Sequence, residues 1–166
     1  MSRSLPLITA AVLLLSGCPG DGTRPGAPIL VTRITPDAPR ATYHSALHEP
    51  LRTACFDEAG FAELWNRAFA DRGTVPAPPA VDFAREFVVV AALGERSSGG
   101  YAIEISGALL ENGAVVVGVL STSPGKNCPV TLALTQPLDI VRLARPNDGP
   151  LPVRFEEKSV ITSCGS

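Results

Sequence analysis

The chain has few of the residues from which catalytic and metal-binding sites are built. Its 166 residues include two histidines and four cysteines. The cysteines form no Cys-x-x-Cys pair of the kind that holds zinc. The Gly-x-Ser-x-Gly, phosphate-binding-loop and His-Glu-x-x-His patterns are missing as well. We therefore predict a protein that is not an enzyme and that holds no metal and no cofactor.

Basic residues are not clustered either. The 14 Lys and Arg residues are outnumbered by 16 Asp and Glu residues, so the formal net charge is −2. Because nucleic-acid binding depends on clustered Lys and Arg side chains, we predict no nucleic-acid partner.

What the chain does have is an N-terminal apolar run over positions 5–15, preceded by Arg3 and followed by Ser16-Gly17-Cys18. A helix needs about 20 apolar residues to cross a bilayer, so this run is too short to span one. A basic start, a short apolar run and a small-small-Cys ending are typical of a lipoprotein signal peptide.

We therefore predict that residues 1–17 are a signal peptide and that Cys18 becomes the lipid-modified N-terminus, carrying acyl chains such as palmitate. The mature protein is then a lipoprotein of the cell envelope, anchored in a membrane outside the cytoplasm. Whether that membrane is the inner or the outer one stays open, as does a secreted protein without lipid.

Three cysteines remain after Cys18, and three cannot all pair within one chain. We predict a Cys128–Cys164 disulfide, which would pin the C-terminal tail in an oxidising compartment. Cys55 then stays a buried free thiol, which behaves as a small hydrophobic residue. A Cys55–Cys128 bond is the alternative.

Two further regions follow the predicted signal peptide along the chain. Residues 18–42 are rich in Pro, Gly, Asp and Thr. We therefore predict that they comprise the lipidated Cys18 and a flexible linker. Residues 43–166 predict one domain. Within it, apolar residues at helical spacing over positions 61–69 predict an amphipathic helix, with Asp57 as its N-cap and Gly73 as its stop.

The rest of the domain has the pattern of β-strands joined by tight turns. Apolar or alternating segments predict strands at 87–93, 101–106, 114–120, 130–134, 138–143 and 153–156. Asn112-Gly113 predicts a hairpin turn between two of them. We therefore predict an α+β fold in which one amphipathic helix packs on a mainly antiparallel β-sheet of about six strands.

A polar, glycine-rich connector, Ser97-Ser98-Gly99-Gly100-Tyr101, joins the first two of these strands. Its adjacent glycines indicate either a simple tight hairpin or close backbone approach to another surface. Because rigid polar loops on a sheet often carry binding functions, we predict that these five residues contact a partner protein.

The order of motifs along the domain resembles a known family. Gly99-Gly100-Tyr101 precedes an alternating Ile strand, Pro124-Gly125-x-x-Cys128 follows, and then Thr135-Gln136-Pro137-Leu138. Over roughly residues 45–160 this pattern is similar to the C-terminal domain of PrcB-type protease-complex subunits, which are exported bacterial lipoproteins. Members of that family usually have Thr where this chain has Ser98 and often have Tyr where it has Leu138.

The resemblance implies a non-enzymatic protein-binding domain, since the family's namesake associates with a secreted subtilisin-like protease and supports its maturation. We therefore predict a lipid-anchored, extracytoplasmic binding domain whose partner is an exported protease or another envelope protein. Two alternatives stay open: a protease inhibitor that uses the 97–101 loop, and a structural lipoprotein of the cell envelope.

Overall fold

The computed structural model describes residues 26–36, 43–148 and 151–164. The predicted signal peptide and Cys18 lie outside the described residues. Within them the chain forms strands β1 (Ala27–Pro28), β2 (Val31–Arg33), β3 (Leu51–Cys55), β4 (Glu86–Ala92), β5 (Ala102–Glu111), β6 (Ala114–Pro124), β7 (Leu138–Ala144) and β8 (Val153–Thr162). One helix, α1, spans Glu58–Ala68. No helix in these ranges is long and apolar enough to cross a membrane.

The strands form two sheets that pack face to face. Sheet 1 has the order β1-β5-β6-β8 and sheet 2 the order β2-β7-β4-β3. Neighbouring strands are antiparallel, except that β6 and β8 are parallel. Helix α1 covers the outer face of sheet 2, so the molecule has three layers and two hydrophobic clusters.

Strand β4 is the centre of both clusters. Phe87, Val89 and Ala91 face the interior between the sheets, whereas Val88, Val90 and Ala92 face α1. All six are fully buried. This burial on both faces is why the segment is apolar without alternation.

The prediction of one helix on a single sheet of about six strands is wrong, because the strands divide into two sheets of four. An unbroken apolar run indicates that β4 is covered on both faces. It does not indicate whether a helix or a second sheet covers each face. Here sheet 1 covers one face of β4 and helix α1 covers the other.

The fold also begins earlier than predicted. Residues 26–36, expected in the flexible linker, contribute the edge strands β1 and β2, which pair with β5 and β7. The chain passes from sheet 1 to sheet 2 between Pro28 and Val31 and so covers one side of the sandwich. Strands of two and three residues are too short to show an alternating pattern, so the sequence pattern does not reveal them.

Helix α1 is confirmed with its predicted cap, because the Asp57 carboxylate accepts a hydrogen bond from Gly60 N at 2.8 Å. The helix ends at Ala68, before the predicted stop at Gly73. Trp65 lies on its buried face and donates its indole N–H to Pro76 O at 2.8 Å. Trp65 is thus a core residue whose indole N–H has a hydrogen-bond partner.

Four of the predicted strands appear as β4 to β7, and the Asn112-Gly113 turn has the positive φ angles of 50° and 78° that its sequence implied. The strand predicted at 130–134 is wrong, since this segment is a loop. Strand β8 extends to Thr162, well beyond the predicted segment 153–156.

A buried carboxylate connects the two sheets. Asp139 on β7 is 0% exposed. It accepts hydrogen bonds from Arg33 Nε at 2.8 Å, from Thr35 Oγ1 at 2.8 Å and from Ile105 N at 2.8 Å. The Arg33 guanidinium adds a second bond at 2.9 Å, and this pairing raises the pKa of Arg33. Asp139 thereby fixes the early segment 31–35 against both sheets.

Candidate functional site

Four connections meet at one end of the sandwich, which we call the loop end. They are residues 43–50, 93–101, 124–137 and 162–164. Backbone hydrogen bonds join them, for example from Glu95 N to His48 O at 2.9 Å and from Gly125 N to Thr162 O at 3.0 Å. The loop end is thus a single cross-linked surface.

The predicted contact loop 97–101 is tied to the connection 124–137. Arg96 and Thr135 exchange two backbone hydrogen bonds, of 2.8 and 3.0 Å. Gly99 N donates to Thr131 O at 2.9 Å, and Thr135 Oγ1 donates to Ser98 O at 2.8 Å. These bonds hold the two loops together as a rigid pair.

The adjacent glycines are explained by this packing. A Cβ atom on Gly99 would overlap Thr131 Oγ1, and one on Gly100 would lie 3.0 Å from both Pro124 and Val130. Gly100 also has a φ of +86°, which favours glycine. Both glycines are thus required within the chain itself, independently of any partner.

The five predicted contact residues differ in accessibility. Ser97 and Gly100 are exposed, Ser98 and Tyr101 are half-buried, and Gly99 is buried. The Tyr101 ring lies 5.8 Å from the Arg96 guanidinium, whose Nη2 donates to Leu93 O at 2.7 Å. Only part of the loop is therefore accessible to another molecule.

Cys128 and Cys164 form a disulfide, the pairing that we favoured. The bond ties the connection 124–137, which we call the stapled loop, to the chain just beyond β8. Cys55 is the unpaired cysteine among the described residues and lies half-buried on β3. Burial raises the pKa of its thiol, and the nearby Asp57 carboxylate raises it further.

The stapled loop exposes large apolar side chains, which the sequence reading missed. Leu132 is 96% exposed and Leu134 is 56% exposed. Tyr43, whose carbonyl accepts a bond from Gln136 N at 2.8 Å, is exposed beside this loop. Apolar side chains exposed on a fixed backbone are typical of surfaces that bind other proteins.

A polar cluster lies at the base of the loop end. His48 Nδ1 is 2.9 Å from Glu95 Oε2, and the Gln136 side-chain amide donates to the same oxygen at 3.3 Å. The hydrogen bond with His48, and then that from Gln136, holds the pKa of Glu95 below its usual range. This cluster joins three of the four connections, namely 43–50, 93–101 and 124–137.

Cavities near this end are small and shallow. One, of about 320 Å³, is lined by residues 46–51 and Arg67. Another, about 200 Å³, lies between Tyr101, Arg96 and the serines of β6 and β8. Across the described ranges no three His, Cys, Asp or Glu side chains are grouped so as to hold a metal ion.

One comparison with known proteins gives a match. The family model described as PrcB C-terminal matches residues 87–144, from β4 through β7, and includes both the 97–101 loop and the stapled loop. Neither the curated proteins nor the solved structures gave a match. The matched family suggests an accessory domain of a protease complex, rather than a catalytic one. Over residues 87–144 the chain is therefore similar to the PrcB C-terminal domain family, as its sequence motifs predicted.

Proposed function

We propose that this protein is a lipid-anchored, extracytoplasmic binding domain that serves as the accessory partner of an exported protease. Its contact surface is the loop end. The observation that carries this proposal is the pair of exposed leucines, Leu132 and Leu134, on a loop fixed by a disulfide and by hydrogen bonds.

The leucines supply the free energy of binding in this proposal. Burying a leucine side chain contributes about 1.5–3 kcal/mol. A partner that buries Leu132 and Leu134 therefore gains binding free energy from both side chains. Because the stapled loop is already ordered, little conformational entropy is lost when a partner covers it. A rigid apolar projection is therefore well suited to insert into a pocket of another protein.

The cellular location in this proposal rests on the sequence. The Ser16-Gly17-Cys18 ending supports lipid attachment at Cys18 and release of residues 1–17. The Cys128–Cys164 disulfide fits an oxidising space outside the cytoplasm. The membrane then holds the domain where exported proteases are found.

The test compares the full-length chain with a variant carrying Leu132→Asp and Leu134→Asp, using chemical cross-linking in the native bacterium and mass spectrometry. We expect an exported protease to be the main cross-linked partner of the unaltered chain. The double variant should capture it more than tenfold less, since two buried leucines are lost.

Leu109→Asp is the matched control, because Leu109 is 42% exposed but lies on β5, away from the loop end. This control should keep the cross-link. Equal capture by all three proteins would contradict the proposed surface. Cross-links to abundant envelope proteins alone would instead favour the structural lipoprotein.

The inhibitor alternative makes a different prediction for the same complex. An inhibitor that uses residues 97–101 should lower the activity of the purified protease, and this effect should persist in the leucine double variant. An accessory domain should leave that activity unchanged or raise it. Half-burial of Tyr101 under Arg96 supports the accessory function, because the loop has no freely projecting aromatic side chain.

A further inference from the structure

Strand β8 is a long, exposed edge of sheet 1. It has ten residues, and β6 is its one strand neighbour within the described ranges. All of its residues are exposed except Val153 and Phe155, which are half-buried. Unpaired edges of this length are templates for a further strand, so proteins usually shorten, bend or cover them.

The backbone direction of β8 follows from its hydrogen bonds to β6. Val115 N donates to Pro152 O at 2.8 Å, and Gly125 N donates to Thr162 O at 3.0 Å. In a parallel ladder, alternate residues bond to the neighbouring strand. The even-numbered residues of β8 therefore bond to β6, and Phe155, Glu157, Ser159 and Ile161 direct their N–H and C=O groups away from the sheet.

An inward-pointing charged side chain often prevents a further strand from pairing with such an edge, but here that charge is neutralised by an ion pair. Glu157 lies in an ion pair with Arg52 of β3, with oxygen–nitrogen distances of 2.5 and 3.1 Å. Arg52 also donates to Ala92 O at 2.6 Å. The Glu157 carboxylate is thus held by its own chain and does not repel an approaching strand.

We propose that β8 pairs antiparallel with β8 of a second copy of this chain, about a two-fold axis at Glu157. In this register Glu156 of each copy lies opposite Lys158 of the other, which gives two reciprocal pairs of opposite charge. Val153 lies opposite Ile161 at both ends of the contact. A two-fold interface requires this kind of self-complementary surface.

The charges disfavour the two adjacent registers. Moving the axis to Glu156 would place Arg154 opposite Lys158 twice, and moving it to Lys158 would place two Lys158 side chains opposite each other. Like charges directly opposite each other destabilise a strand pair. The axis at Glu157 also brings the two Glu157 side chains opposite each other, but each is paired with Arg52 of its own chain. The axis at Glu157 also pairs nine residues, from Val153 to Ile161.

The test uses two differently tagged full-length chains made in the same cells, one with Glu156→Cys and the other with Lys158→Cys. Directly opposed residues lie close enough for a disulfide, whereas diagonal neighbours, about 7–8 Å apart, do not. We therefore expect a disulfide between the two different chains and at least tenfold less between two copies of either one. Leu109→Cys, on β5, is the control for random collision and should not cross-link.

Charge reversal gives a second measurement on the detergent-solubilised protein. Glu156→Lys or Lys158→Glu alone should weaken association about tenfold, and the double variant should restore it. Strong linkage between two Glu156→Cys chains, linkage of β8 to a different protein, or no difference from the Leu109→Cys control would overturn the proposal.

Discussion

At the scale of single residues, Asp139 is the most demanding position in the fold. A carboxylate that is removed from water is stabilised only by close partners, and Asp139 has Arg33, Thr35 and Ile105 N around it. Two of these partners come from the segment before residue 36. One buried side chain therefore decides whether this early segment joins the sheets.

Replacing Asp139 by Asn tests this role. The Arg33 guanidinium would lose its buried counter-charge, so we expect the free energy of unfolding to fall by about 3–5 kcal/mol. Urea denaturation of the purified protein measures the change.

Glu104→Gln is the matched control, because Glu104 pairs with the same guanidinium at 3.2 Å but is exposed. It should change stability by less than about 1 kcal/mol. Equal losses for the two variants would show that burial of Asp139 adds nothing.

Gly99 gives a second prediction at this scale. The variant Gly99→Ala should lower the free energy of unfolding by about 1–3 kcal/mol without any partner present, because the added methyl group would overlap Thr131. Gly73→Ala is its control, since a Cβ there meets no atom within 4 Å. Thermal unfolding compares them, and an unchanged midpoint for Gly99→Ala would mean that the two loops separate easily.

At the scale of elements, the disulfide determines how firmly the stapled loop is held. It closes a segment with a sequence separation of 36 residues, for which chain entropy gives about 3–4 kcal/mol. We expect Cys128→Ser with Cys164→Ser to lower the free energy of unfolding by about this amount. The variant should also capture less partner, because the leucines would no longer be pre-ordered.

Cys55→Ser is the control for the loss of a sulfur atom, since Cys55 is unpaired. Chemical denaturation gives the stability, and the cross-linking experiment gives the capture. A double variant that is as stable as the unaltered chain would contradict a structural role for the bond.

Elements also explain what the sequence could and could not predict. Helix α1, β4 and the Asn112-Gly113 hairpin have strong local patterns, and all three were predicted. The segment 130–134 alternates like a half-buried strand but is a loop, because Thr131 and Thr135 bond to the 96–99 backbone. Its leucines are therefore exposed, and only tertiary contacts reveal them.

The position of Asp139 in the sequence was a signal that could have predicted its buried partners. A carboxylate within a predicted apolar strand must either reach water or find a buried partner. The partners, Arg33 and Thr35, lie more than 100 residues earlier, in a stretch whose proline and glycine content is typical of a linker. Composition alone therefore assigned the start of the fold incorrectly.

At the scale of the whole molecule, the two sides of the sandwich differ. The chain crosses between the sheets on the side of β1 and β2, whereas β8 and β3 border the opposite side and are linked there by the Glu157–Arg52 ion pair. The loop end adjoins that open side, where β8 ends at Thr162. One small domain thereby offers two adjoining surfaces, one for the proposed protease and one for the proposed second copy.

The position of Gly26 limits where these surfaces can operate. Gly26 lies against Leu110, next to the β5–β6 turn, and positions 19–25 separate it from Cys18. A chain of that length reaches at most about 30 Å, so an acylated Cys18 would keep the whole body within a thin layer above the lipid. In an antiparallel pair the two Gly26 residues lie at opposite ends. Both acyl chains would then enter one bilayer most easily when the strands run parallel to its surface.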